Sequence, residues 1–287
     1  MLVRLIHIKS LFNTPKQQTR FIKRWVKNMN YGCKKEINDK RDFKMKIPKV
    51  AKINTFPKEY KIQMPRVKNQ GRINSCVAHS LSTFMEEYYK EENKKFSVGF
   101  IYGYRPYNYY QEEGMYPREA LKTLQKVGDV KQDDFPYNKE IPEIKELVDK
   151  NIDRLKSVAE DYKIASYARI YNKNDILKCL YEDCPVPISI PVYNNLKVNQ
   201  NNIIEQPDGE VEGYHMVILY GWNEEGYLLQ NSWGEDWGNN GCAILPYDYP
   251  IDSAWAISTK KNNIETYQTI FQKIYKLIQQ IINYFKQ

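Results

Sequence analysis

Gln70, Cys76, His215 and Asn231 are the side chains through which this sequence could do chemistry. Cys76 opens the run Cys76 to Glu87 behind a loop, Asn69 to Ser75, that contains Gly71, so the spacing predicts a helix starting at the thiol with Ser75 or Asn74 as N-cap. A cysteine in a first helical turn faces unpaired backbone N–H groups, whose partial positive charge favours thiolate and lowers its pKa. The thiolate is the nucleophile, and it needs a base. Two histidines compete for that role. His79 lies three residues after Cys76 on the same helix, about 5 to 6 Å away between Cβ atoms, but has no orienting partner and reads as a packed helix histidine. His215 stands at the expected start of a strand, with Asn231 sixteen residues on, after the next strand. A hairpin brings these two together: Asn231 Oδ1 accepts from the imidazole and fixes its tautomer, leaving the other ring nitrogen for the thiol. Taken singly, each residue also has a plainer reading, as a small buried cysteine, a structural histidine and a turn asparagine.

The elements that must hold these side chains change character along the chain. After the Cys76 helix, the aromatic stretch Phe96 to Tyr110 reads as a second helix or turn. Gly114-Met115-Tyr116-Pro117 breaks the chain before a helix over Arg118 to Gln125, which Gly128 stops. Ile141 to Val158 reads as one amphipathic helix with Ile144, Leu147, Val148, Ile152 and Leu155 inward. A lobe boundary is expected between Val158 and Lys163. Beyond it come a strand over Tyr162 to Tyr171, a short helix from Asp175 to Tyr181, a strand over Pro185 to Val192 and a loop from Asn194 to Glu212. Three further strands follow, His215 to Tyr220, Tyr227 to Gln230 and Cys242 to Pro246. The fold class is therefore α+β: a helical half, then an antiparallel sheet.

Composition bounds the rest. The 287 residues suffice for one large domain or two lobes about a cleft. The net charge of +8 is concentrated at the start: residues 1–50 hold fourteen Lys and Arg against three Asp and Glu, and no acid precedes Glu36. The other 237 residues are nearly neutral, which gives no reason to expect a nucleic-acid partner. Five cysteines, Cys33, Cys76, Cys179, Cys184 and Cys242, are an odd count without the density of a disulfide scaffold. Reduced thiols and a cytoplasmic or other reducing compartment are expected, with no secretory signal and no transmembrane segment. Cys179 and Cys184 with three histidines in the chain do not make a zinc site, so no metal or cofactor is expected.

In three segments the sequence resembles the papain-like cysteine peptidases: Gln70-Gly71, three residues, then Ser75-Cys76 with Ala78; Gly213-Tyr214-His215-Met216-Val217; and Asn231-Ser232-Trp233-Gly234 with Trp237-Gly238 and Gly241. The resemblance covers about Phe56 to Ser258 and implies a two-lobed fold with the active-site cleft between a helical lobe and an antiparallel β-sheet or barrel lobe. It implies a Cys76-His215-Asn231 triad acting through a thioester, with the Gln70 amide and the Cys76 N–H as oxyanion hole and Trp233 shielding the His215–Asn231 bond. Gly114, Met115, Tyr214 and Trp233 are the implied peptide-binding positions and a peptide or protein the implied substrate. The sequence departs from the secreted members at Ile73, where they have a disulfide cysteine, and at Val77, where they have Trp. Glu113-Gly114-Met115-Tyr116 stands for their Cys-Gly-Gly stretch, and the variant is closer to the bacterial, archaeal and viral branch. The open alternatives are another Cys-His acyl-transfer enzyme, such as a transglutaminase or amide hydrolase, and an inactive binding protein on the same fold.

Three divisions follow: a basic extension or pro-segment, 1–50; the peptidase domain, 51–260; and a C-terminal amphipathic helix, 261–287. The extension reads as a targeting segment, a patch for acidic partners or membrane surface, a solvated tail, or a segment that autoinhibits the cleft as a zymogen. In the C-terminal stretch, Phe271, Ile274, Ile278, Ile281 and Phe285 fall at heptad spacing. That stripe suits docking on its own domain, self-association or a membrane surface.

Overall fold

The computed structural model describes residues 31–37, 39, 42, 56–106, 113–137 and 144–259. The predicted C-terminal helix and most of the basic extension lie outside the described residues. The sequence-predicted helix does begin at the thiol: α1 runs Cys76–Tyr88, and twelve of its thirteen residues are buried. A helix covered on all sides is a central one, and its polar side chains are accordingly paired. Ser82 Oγ donates to Phe96 O at 3.0 Å, and Glu86 Oε1 accepts from Phe96 N at 3.1 Å.

Around α1 stand α2 (Val98–Gly103) and α3 (Pro117–Lys126), the latter opened by proline at its first turn, where a missing N–H costs nothing. The expected single helix over Ile141 to Val158 is two, α4 (Ile144–Lys150) and α5 (Ile152–Ala159), interrupted at Asn151. Residues 141–143 lie outside the described residues. Asn151 has non-helical backbone and turns its side-chain amide onto Leu147 O at 2.8 Å, capping one helix where the other begins. Leu147 and Ile152, expected inward, are only partly covered.

The second lobe is an antiparallel sheet. Its strands are β1 (Tyr60–Lys61), β2 (Ile164–Ile170), β3 (Val186–Tyr193), β4 (Val211–Trp222), β5 (Gly226–Gln230), β6 (Cys242–Pro246) and β7 (Ser253–Thr259), in spatial order β2-β7-β3-β4-β5-β6 with β1 on β4. A helix, α6 (Lys173–Tyr181), packs on this lobe. The alternation of β4 divides the core: Met216 and Ile218 join the cluster around α1, while Val217 and Leu219 join the cluster around α6. The sheet is thus the wall between the lobes. Two strands, β1 and β7, are additions to the sequence-based expectation. Another correction concerns β4, which starts at Val211 inside the expected loop because Tyr193 pairs with Val211 and Val192 with Gly213. His215 therefore sits within a long strand opposite Ile190, not at a strand start. Among the described residues no helix is long and apolar enough to cross a membrane.

Candidate active site

The first turn of α1 points at strand β4. Met216 N donates to Cys76 Sγ at 3.4 Å, so the thiol lies against the backbone next to His215. His215 Nε2 and Asn231 Oδ1 are 2.7 Å apart, both residues buried, and the Trp233 ring stacks on the imidazole at 4.3 Å and 25° between planes. His215 Nδ1 is buried and makes no hydrogen bond. The chain from His215 to Asn231 is the rest of β4, a turn and β5: Ile218 pairs with Gln230 across the two strands, which brings Asn231 back beside His215.

Gln70 reaches the same place from the other lobe. Its N–H donates to Ser232 O at 2.8 Å, Gly234 N donates to Lys68 O at 3.0 Å, and Asn69 bridges Trp233, so the segment 68–70 is stitched to the asparagine loop. The Gln70 amide is fixed at both ends, with Oε1 accepting from Ser232 Oγ at 2.8 Å and Nε2 donating to Ile73 O at 3.0 Å. Ser75 stands at the N-cap of α1 but does not use its hydroxyl there; Oγ meets Tyr137 OH at 3.1 Å and His79 Nδ1 at 3.2 Å. His79 is buried, lies 3.0 Å through Nδ1 from Ser75 O, and takes Tyr137 edge-on. Burial lowers its pKa to about 3, so it is a neutral packed ring.

Residues 31–37 of the basic extension run over the thiol; one of the readings of that extension puts it on the cleft, but the residues that make the contacts are not foreseen by it. The Gly32 backbone N–H is among the groups that pull on the Cys76 thiol. Met115 N donates to Gly32 O at 2.8 Å, Lys34 N to Met115 O at 2.9 Å and Cys33 N to Tyr214 O at 3.2 Å. Cys33 thus pairs with Met115 in parallel and with Tyr214 in antiparallel sense. Its thiol donates to Ser189 Oγ at 3.1 Å, and Tyr31 lies over Trp233 with ring centroids 6.3 Å apart. All four positions named as peptide-binding line this track, though with unequal parts. Met115 and Tyr214 make the backbone bonds and Trp233 the ring contact. Gly114 supplies space: its φ is +90°, and a Cβ there would stand 2.6 Å from Gly32 O. Sequence periodicity could not reveal Gly32, Cys33 or Ser189, because backbone pairing carries no side-chain signal. The one hint is Glu36, the first acid of a basic stretch.

Covering the cleft changes its electrostatics. Burial pushes the Cys76 thiol up to about 11, against the pull of N–H groups from Met216, Gly32, Val77 and its own residue. Burial holds His215 down to about 4, partly opposed by the bond to Asn231. The lowered thiol pKa expected from the helix terminus is thus reversed here, because desolvation outweighs the aligned N–H groups. The covered pair is neutral thiol and neutral imidazole.

Comparison with known proteins agrees with this architecture. The family model described as papain family cysteine protease matches residues 54–249. A cysteine protease of Blomia tropicalis is 26% identical over 253 residues, covering 79% of this chain and 71% of its own. An uncharacterized peptidase C1-like protein of Acanthamoeba polyphaga mimivirus is 26% identical over 274 residues, covering 78% and 83%. Among solved structures, xylellain, a cysteine protease from Xylella fastidiosa, superposes with a TM-score of 0.69 at 28% identity over 81% of this chain and 97% of its own. The fold of proCathepsin B S9 from Trypanosoma congolense matches with a TM-score of 0.62 at 14% identity, covering 80% and 86%. The chain belongs to the papain family of cysteine proteases, and its bacterial and viral relatives fit the branch suggested by Ile73 and Val77.

Proposed function

We propose that this protease hydrolyses peptide bonds with Cys76 as nucleophile, His215 as acid and base, Asn231 as the residue orienting His215, and Gln70 Nε2 with the Cys76 N–H as oxyanion donors. The observation that carries the reading is the buried 2.7 Å contact between His215 Nε2 and Asn231 Oδ1, under Trp233 and one residue along the strand from the amide that touches Cys76 Sγ. That contact commits Nε2 to Asn231 and leaves Nδ1 for the sulfur. The thiolate attacks the scissile carbonyl. Imidazolium protonates the leaving amine, and imidazole then activates the water that hydrolyses the thioester. An oxyanion donor of this kind is worth about 3 to 4 kcal/mol in acyl-transfer enzymes.

Residues 1–50 we read as a zymogen segment ahead of a peptidase unit, residues 51–260. What supports autoinhibition is the backbone track of Gly32, Cys33 and Lys34 along Met115 and Tyr214, next to the buried Cys76 and His215. Five free cysteines support a reducing compartment.

The test uses the full chain with the recognition sequence of a site-specific protease in place of residues 51–54, folded intact and then nicked there. Nicking is expected to switch on cleavage of peptide substrates and labelling of Cys76 by an epoxide thiol inhibitor, mapped by mass spectrometry. Cys76→Ala and His215→Ala should abolish cleavage, and His79→Ala should cost stability at most. Equal activity before and after nicking removes the zymogen reading. Activity that survives His215→Ala but not His79→Ala removes the triad.

A further inference from the structure

Three residues beyond Cys33, the same segment places a carboxylate in a built site. The Glu36 side chain is fully buried; Oε1 accepts the Arg118 backbone N–H and Oε2 accepts Arg118 Nη1, each at 2.7 Å. Arg118 lies in the first turn of α3, where the helix terminus adds to its positive charge. Its other donors go to Asp42, Nε to Oδ1 at 2.7 Å and Nη2 to Oδ2 at 2.6 Å, and Nη2 also reaches Ile37 O at 3.1 Å. A second guanidinium lies nearby: Arg118 and Arg169 are 5.7 and 5.4 Å from the ring centroid of buried Trp255. Arg169 is 4% exposed, gives Nη2 to Asp252 O at 2.8 Å and leaves Nη1 without a hydrogen-bond partner, and its charge acts on Glu36. Acids from outside the segment also face this place: Asp252, whose Oδ2 accepts the Glu36 N–H at 3.2 Å, and Glu119, which acts on Tyr167 together with Arg118, Asp42 and Glu36.

Both carboxylates on Arg118 belong to the basic extension. When that segment leaves, Arg118 loses both anionic partners together with the cover they give it, while Arg169, whose charge also acts on Glu36, remains. A guanidinium freed of its carboxylates offers the same charge-assisted, bidentate geometry to another carboxylate. The site lies on the Met115 side of Cys76, four residues along the extended strand from Gly32, and is continuous with the track that Met115 and Tyr214 line. We propose that Arg118 and Arg169 form an anion-binding subsite of the cleft, selecting peptides with Glu or Asp a few residues from the bond that is cut. Glu36 is its resident occupant until the segment departs.

This inference rests on reading the cleft as a peptidase's, and its test separates the two. The nicked chain, freed of its segment, is given peptide pairs with Glu or Gln at each of four positions on either side of the cleaved bond. Glu should be favoured in kcat/KM at one position by at least about tenfold, as a charge-assisted bidentate contact allows. Arg118→Met should abolish the preference and Arg118→Lys retain part of it. Equal rates for Glu and Gln at every position, with cleavage occurring, overturn the subsite and leave the peptidase intact. If no peptide is cut, the peptidase reading fails, and fluorescence anisotropy of the same labelled peptides on the nicked chain decides the subsite alone. There, tighter binding of a Glu peptide by about tenfold supports it and equal binding overturns it. Should Arg118→Met not fold, the Glu and Gln pairs on the unsubstituted chain still decide between these outcomes.

Discussion

The Trp233 ring lies 4.3 Å from the His215 ring and nearly parallel to it, roofing the 2.7 Å contact between His215 Nε2 and Asn231 Oδ1. Water kept from that contact cannot compete for Asn231, and the imidazole is held in one orientation. Trp233→Ala should therefore lower kcat of the nicked enzyme by about tenfold or more, since a misplaced base is costly even when present. It should also raise the His215 pKa from about 4 towards its ordinary value, because burial is what depresses it. Proton NMR of the imidazole against pH reads the second effect independently of activity. An unchanged titration would mean that burial comes from elsewhere.

The segment over Cys76 sets a second titration. In the covered chain, burial holds the thiol at about 11 and His215 at about 4, so between those values both are neutral. Uncovering the cleft admits water and stabilises both charged forms: the thiol pKa falls, the imidazole pKa rises, and an ion pair becomes accessible near neutrality. Iodoacetamide alkylation of Cys76 should rise only in strongly alkaline solution for the full chain. The nicked, segment-free chain should react readily from mildly acidic pH upward. Superimposed pH profiles would show that the segment does not control the charge state.

Some of this site was legible in the sequence and some could not be. Ser75-Cys76 before an apolar run marked the start of α1, and the order of Gln70, Cys76, His215 and Asn231 marked which side chains could meet, because these signals are local. The strand Ser253–Thr259 was not legible: Ser-Ala-Trp-Ala-Ile has little β-branched character, and its place between β2 and β3 is decided by pairing with Ile164 to Ile170 and with Ile188 and Ser189. The extent of β4 was hidden likewise, since Val211 and Glu212 read as loop until Tyr193 pairs with Val211 and Val192 with Gly213. The covering strand left least trace, being held by backbone bonds to Met115 and Tyr214 and by the ion pair of Glu36 with Arg118, 82 residues away.

Gly114 is the narrowest passage of that strand. With φ at +90° any other residue is strained, and a Cβ would meet Gly32 O at 2.6 Å. Gly114→Ala should destabilise the full chain by about 1 to 3 kcal/mol and loosen the segment, raising peptide cleavage before nicking. Thermal unfolding of both forms separates the causes: the backbone strain persists in the segment-free chain, whereas the clash with Gly32 vanishes. Equal losses in the two forms would assign the whole effect to φ.

Lys68 joins the segment that carries Gln70 to α1, the helix that carries Cys76. Its Nζ is 2.6 Å from Ser82 Oγ and 3.0 Å from Glu86 Oε1 on α1, and both charged side chains are almost fully buried. Two residues on is Gln70, and the Lys68 carbonyl itself accepts from Gly234. Lys68→Met strands the Glu86 carboxylate, an uncompensated buried charge that costs about 3 to 5 kcal/mol. Adding Glu86→Gln should recover most of that stability, because the amide still accepts from Phe96 N without a charge to desolvate. Recovery of activity should lag behind recovery of stability, with kcat reduced and KM nearly unchanged, if the ammonium also fixes where Gln70 stands relative to Cys76. Chemical denaturation and steady-state kinetics on the nicked double variant check both halves, and full return of kcat with stability would reduce Lys68 to a structural ion pair.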